Sequence, residues 1–133
     1  MDKKLKDSLS KIKLLICDID GVLTDGSFIK STSGEELRSF NALDGVGFVV
    51  LRLLDLNVKT AWITGRESLT TTQRAEELQI DDVYNGVIRK IDAYNELKKK
   101  YELSDSEVCF IGDDIIDIPI LEKVGFAVTV PNA

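Results

Sequence analysis

The sequence predicts an α/β protein in which a parallel sheet lies between layers of helices. Three observations point there. Short apolar runs of strand length recur along the chain, at 12–16, 58–63, 108–111 and 126–130. Longer stretches with helical spacing, such as 68–79 and 90–101, fall between them. The strand-like runs are apolar on both sides, so both faces of the sheet must be covered by helices. A chain of 133 residues with 44% apolar residues has the length of one domain, 1–133, and enough material for a core.

Each element follows from local pattern. Residues 1–11 set Leu5 and Leu9 in a polar background, a short amphipathic lead-in. Lys11 to Asp18 holds Ile12, Leu14, Leu15 and Ile16 and ends in acids, a first strand. From Phe28 to Phe40, two short strand-like pieces flank Ser31-Thr32-Ser33-Gly34; this hairpin, about 27–41, is the one insertion that interrupts the alternation. Asp44-Gly45 opens a segment to about Leu56 whose apolar residues occupy most of a helical wheel, so a helix covered on more than one side is expected. Val58 to Ile63 is the next strand, followed by Thr64-Gly65-Arg66 and a helix from about Ser68 to Gln79. A brief strand near Val83-Tyr84 precedes the turn dipeptide Asn85-Gly86. Lys90 to Tyr101 reads as a helix with Ile91, Tyr94 and Leu97 along one face. Val108 to Ile111 is a strand ending in Gly112-Asp113-Asp114, and a short helix around 119–123 and a strand at 126–130 finish the chain.

Composition narrows the chemistry. A formal charge of −6 argues against nucleic acid or an anionic membrane as partner, since both reward basic patches. The clusters Lys3-Lys4, Lys6 and Lys98-Lys99-Lys100 are short and mixed with acids, as on solvated helix faces. No apolar run reaches the roughly 18 residues of a membrane span, and the start lacks the apolar stretch of a secretory signal. A cytoplasmic protein is therefore expected, with Cys17 and Cys109 as buried reduced thiols. There is no histidine. That removes a Ser-His-Asp triad, a Cys-His pair and every His-ligated metal site, leaving carboxylates, lysine, hydroxyls and a hard metal ion.

In a sheet of this kind ligands bind beyond the carboxyl ends of the strands. Three strands end there in reactive groups: Asp18 and Asp20, then Thr64, then Asp113, Asp114 and Asp117. Aspartates are common in turns and helix caps, so a single Asp-x-Asp carries little weight. Three compatible strand ends in one small domain carry more. Carboxylates held together repel one another unless a cation sits among them. Mg²⁺ suits oxygen ligands and binds substrate phosphate as well. Lys90, at a helix start, is the candidate to neutralise charge and hold a phosphate, with a plain surface lysine as the alternative. An aspartate beside a neutralised phosphoryl group can attack phosphorus, and a second acid two residues on faces the same side to move protons.

These residues resemble the motifs of the haloacid dehalogenase (HAD) superfamily of phosphatases. Asp18-Ile19-Asp20-Gly21-Val22-Leu23-Thr24-Asp25-Gly26 is similar to its first motif, Ile63-Thr64-Gly65-Arg66 to its second, Lys90 to its third and Gly112-Asp113-Asp114-Ile115-Ile116-Asp117 to its fourth. The resemblance implies a Rossmann-like sheet with a small β-hairpin flap and no large cap domain. It implies Asp18 as nucleophile, Asp20 as general acid/base, and Thr64, Gly65 and Lys90 at the phosphate. Mg²⁺ would be held by the carboxylates of Asp18 and Asp113 and the main-chain carbonyl of Asp20, with Asp114 and Asp117 orienting metal waters and Lys90.

Gly34-Glu35-Glu36-Leu37, Phe40-Asn41 and Asp44-Gly45-Val46-Gly47 narrow the likeness to the nearly capless branch acting on 3-deoxy-D-manno-octulosonate (KDO) 8-phosphate. Members of that branch form homotetramers whose flaps close over a neighbour's site. Arg66 would then meet the substrate carboxylate. A sialic-type 9-phosphate or another small ester is the alternative substrate, and a catalytically idle oligomerisation module the alternative role. Branch members also run on past the last strand in a tail that reaches a neighbour's site, whereas this sequence stops at Val130-Pro131-Asn132-Ala133. Without such a tail, substrate closure is expected to weaken while Mg²⁺ binding persists.

Overall fold

The computed structural model describes residues 1–133. In chain order its elements are α1 (Lys3–Leu9), β1 (Leu14–Cys17), β2 (Ile29–Lys30), β3 (Glu36–Leu37), α2 (Ala42–Leu53), β4 (Lys59–Thr64), α3 (Leu69–Leu78), β5 (Asp82–Asn85), α4 (Lys90–Tyr101), β6 (Val108–Ile111), α5 (Ile118–Leu121) and β7 (Phe126–Val128). Five strands form one parallel sheet in the order β5-β4-β1-β6-β7, and β2 pairs with β3 as an antiparallel hairpin. The expected α/β sandwich, with its hairpin insertion, is what forms.

Strand alternation divides the core between the two faces of the sheet. Leu14 and Ile16 of β1, Ala61 and Ile63 of β4, and Val108 and Phe110 of β6 meet Ala93, Tyr94 and Leu97 of α4 and Ile120 of α5. Cys17 and Trp62 turn the other way, toward Phe48 of α2 and Ala75 and Leu78 of α3. Trp62, fully buried, packs edge-on against Phe48 with ring centroids 5.8 Å apart. Both cysteines are buried free thiols. Burial pushes Cys17 far up and Cys109 up to about 11, so neither is an available thiolate.

Register sets the site. Cys17 lies opposite Trp62 on one side and Ile111 on the other, so β1 and β6 end level and β4 runs two residues further, to Thr64. The chain winds from β1 to β4 in one direction and returns to β6 in the other, leaving a crevice above the carboxyl ends.

Three elements differ from expectation. Only Gly45 and Phe48 of α2 are buried; Leu43, Val46, Val50 and Leu53 are 42–79% exposed. The helix is thus covered on one side within the chain, because a single sheet face meets a single stripe of it. β7 stops at Val128 rather than 130, since β6 turns away after Ile111 and offers nothing beyond the Gly112 N–H to the Val128 carbonyl (3.1 Å). The last helix starts earlier, as a 3₁₀ turn at Ile115–Asp117 running into Ile118–Leu121, with a proline in the first turn of α5 where its missing N–H costs nothing. No helix is long and apolar enough to cross a membrane.

Candidate active site

The crevice is built from the strand ends inward. Asp18 extends β1 by one hydrogen bond, its N–H donating to the Ile111 carbonyl at 2.9 Å. Alternation then sends its side chain to the face of Leu14 and Ile16, toward α4. There Lys90, the first residue of α4, is 1% exposed and donates from Nζ to Asp18 Oδ1 and to Asp117 Oδ1, each at 2.7 Å. A lysine so buried is tolerable because two carboxylates and their hydrogen bonds offset its lost hydration. Asp117, fully buried, uses its other oxygen to accept the main-chain N–H of Asp113 (3.0 Å) and Asp114 (3.1 Å). That close approach requires Gly112, where a Cβ would lie 2.7 Å from both Asp117 Oδ2 and the Phe110 ring.

The turn after Asp18 is equally constrained. The Ile19 carbonyl accepts N–H groups from Val22, Leu23 and Thr24, and the Thr24 hydroxyl accepts those of Gly21 (3.3 Å) and Gly26 (3.2 Å). Gly21 has φ +89°, and a Cβ there would collide with the Asp113 carboxylate. Asp113 therefore sits directly on the turn, its Oδ1 buried with no hydrogen-bond partner.

Asp18, Asp113 and Asp117 each bring an oxygen within 4.8 Å of the others. One lysine faces these three acids, and a buried acceptor is left unpaired, so the donor set fits a divalent oxygen-seeking cation. The electrostatics agree. Burial pushes the Asp18 carboxyl up to about 7 against the pull of Lys90, with Asp117 and Asp113 adding to the rise. Burial also raises Asp20; Arg38 and Arg66 oppose it, while Glu36 and Asp113 reinforce it.

Thr64, the last residue of β4, is 1% exposed, and its hydroxyl bonds only within its own loop, accepting the Arg66 N–H at 3.4 Å. Gly65 lies beside Ile88 and Ile116 at the cleft wall. Arg66 is held from the hairpin side: Glu36 pairs with it, and its guanidinium stands 3.8 Å from the centre of the Phe28 ring. Asp18, Asp20, Thr64, Gly65, Arg66, Lys90, Asp113 and Asp114 share one cleft of about 430 Å³ with Asp117 buried outside its lining. Asp117 contacts Lys90, whereas Asp114 does not. The Asp114 side chain caps the 3₁₀ turn, accepting the Ile115 N–H at 2.6 Å.

Two residues of the site escaped sequence reasoning. Arg38 donates to Asp20 Oδ2 at 3.2 Å, and Glu36 pairs with Arg66. Their signal was slight: charges either side of Leu37 in a hairpin, with nothing to say which distant residue each would meet. As a whole, the cleft offers a nucleophilic carboxylate, a second acid two residues on, a lysine, a hydroxyl and a cation pocket. That set suits transfer of a phosphoryl group to Asp18.

Comparison with known proteins agrees with this chemistry. A family model described as haloacid dehalogenase-like hydrolase matches residues 55–133. The 3-deoxy-D-manno-octulosonate 8-phosphate phosphatase KdsC of Yersinia pestis is 42% identical over 124 residues, which are 93% of this chain and 65% of that protein. KdsC of Escherichia coli K12 is 40% identical over 122 residues, 92% of this chain and 64% of that protein. The chain thus spans just under two thirds of the length of these curated relatives. Among solved structures, the Yersinia pestis phosphatase superposes with a TM-score of 0.94 at 38% identity, covering 100% of this chain and 71% of its own. The Moraxella catarrhalis phosphatase, solved with a magnesium ion, a phosphate ion and KDO, also gives 0.94, at 34% identity, covering 100% and 75%.

Proposed function

The chain belongs to the haloacid dehalogenase-like hydrolases, and from that premise we propose that it is a Mg²⁺-dependent phosphomonoesterase hydrolysing KDO 8-phosphate to KDO and phosphate. One observation carries the reading: Asp18 lines the cleft, pinned by Lys90 at 2.7 Å, with an oxygen each of Asp113 and Asp117 within 4.8 Å. Its relatives are named for this substrate, and one was solved with Mg²⁺, phosphate and KDO bound.

In this proposal the Asp18 oxygen not engaged by Lys90 attacks phosphorus. The ester P–O bond breaks, and Asp20 gives its proton to the departing sugar oxygen. Asp20 then takes a proton from water, whose oxygen attacks the phosphorus of the aspartyl-phosphate and frees Asp18. Lys90, Thr64 and the Gly65 amide hold the phosphoryl oxygens, and Arg66 faces the substrate carboxylate. The carboxylates of Asp18 and Asp113 and the Asp20 carbonyl would hold Mg²⁺, with Asp117 and Asp114 orienting its waters and Lys90. When bound, the ion favours the ionised form of Asp18 and neutralises charge on the phosphate.

We place residues 1–133 in one catalytic unit that assembles as a homotetramer and works in the cytoplasm. The exposed apolar stripe of α2 and the projecting hairpin support the first, and the buried free thiols the second. A phosphate-release screen tests the whole reading, run with and without Mg²⁺ on KDO 8-phosphate, sialic-type 9-phosphates and hexose phosphates. KDO 8-phosphate should turn over fastest, chelation should abolish release, and Asp18→Asn should lower kcat by on the order of 10⁴-fold or more. Equal rates on all esters would overturn the substrate and leave the phosphatase.

A further inference from the structure

We propose that Arg38 is a positioning residue: it holds the Asp20 carboxylate in place for proton transfer and ties it to the hairpin. The inference rests on the phosphatase reading above. Arg38 follows β3 directly, and its side chain is 0% exposed although its partner Asp20 lines the open cleft. Nη2 donates to Asp20 Oδ2 at 3.2 Å, and Nη1 donates to the hydroxyl of Thr71 at 3.0 Å. Thr71, on α3, is itself fully buried. The guanidinium is therefore fixed at one end by the body of the protein and grips Asp20 with the other.

No other group in the chain hydrogen-bonds to that carboxylate. The second oxygen of Asp20 is buried without a partner. A proton donor and acceptor must stay within hydrogen-bond reach of the atoms it serves, and a free carboxylate would rotate among staggered positions. A planar guanidinium bridges a carboxylate and a hydroxyl with its fixed fork, which an ammonium does not. The contact also couples acid to flap. Glu36 of β3 lies 4.0 Å from Arg38 Nε and pairs with Arg66. A continuous chain of charge, Asp20–Arg38–Glu36–Arg66, thus runs from the acid to the cleft wall, with both of its inner members on the hairpin side. Movement of the hairpin would move Asp20.

A residue that merely pins the hairpin makes a different prediction from one that acts through Asp20. Arg38→Met and Thr71→Val are each made in the native and Asp20→Asn backgrounds, and kcat and KM are measured by phosphate release. Arg38→Met should lower kcat about 10- to 100-fold, part of the roughly 10²- to 10⁴-fold that general acid–base catalysis contributes, with KM held within about twofold. Thr71→Val, which keeps the side-chain shape and removes one anchor, should lower kcat about 3- to 10-fold by the same route. Neither should cost anything further once Asp20 is Asn. Equal losses in both backgrounds, or an unchanged kcat, overturn the proposal. If Arg38→Met fails to fold, the Thr71→Val cycle decides alone by the same criteria. An enzyme silenced by Asp18→Asn but indifferent to Arg38→Met overturns the positioning role only, whereas a native protein that releases no phosphate overturns the phosphatase reading with it.

Discussion

At the scale of residues, the centre is a trade between burial and charge. Asp18 has its carboxyl raised from 3.8 to about 7, chiefly by burial. A carboxyl raised in the folded state binds its proton more tightly there than in the unfolded chain. Its contribution to stability is present below the unfolded value and disappears as pH rises through the folded one. The metal-free protein should therefore lose stability between about pH 4 and 7, with Asp20 acting in the same direction. Denaturant titrations of native protein and Asp18→Asn across that window check this: the native curve should fall more steeply, and Mg²⁺ should flatten it. Gly21 makes a second prediction. Gly21→Ala meets both a positive φ and the Asp113 carboxylate, so it should cost about 1–3 kcal/mol and weaken Mg²⁺ binding in calorimetry.

At the scale of elements, the two faces of the sheet do different work. The α4 face carries the candidate site, because Lys90 opens that helix and reaches Asp18 and Asp117. The α2–α3 face carries packing, and its centre is Phe48 against Trp62. Phe48→Ala should destabilise by about 3–5 kcal/mol, read as a lower denaturation midpoint, while leaving the cleft residues in place. The hairpin is held to the body by side-chain charge, Glu36 to Arg66 and Arg38 to Asp20, more than by its own two short strands. Two-residue strands are marginal alone, so those pairs set where the flap stands.

At the scale of the molecule, the outer stripe of α2, Leu43, Val46, Val50 and Leu53, is apolar and uncovered. On the proposed tetramer it is a contact. Val46→Asp with Leu53→Asp should then shift the mass seen by light scattering toward the monomer, with little loss of secondary structure in circular dichroism. Much of the architecture was legible before any coordinates. Strand runs apolar on both sides required a covered parallel sheet, Lys90 to Tyr101 was bounded by its own periodicity, and the absence of histidine left carboxylates and a hard cation as the available chemistry. Local pattern determined these features because it acts over a few residues. Tertiary structure alone decided the rest. Asp20 and Arg38 are 18 positions apart, and Lys90 and Asp18 are 72 apart. Such pairs are set by sheet register and helix placement, which no short-range pattern encodes. The outer face of α2 is the same case in reverse: its apolar wheel called for cover, and only the packed chain revealed which side of that cover was missing.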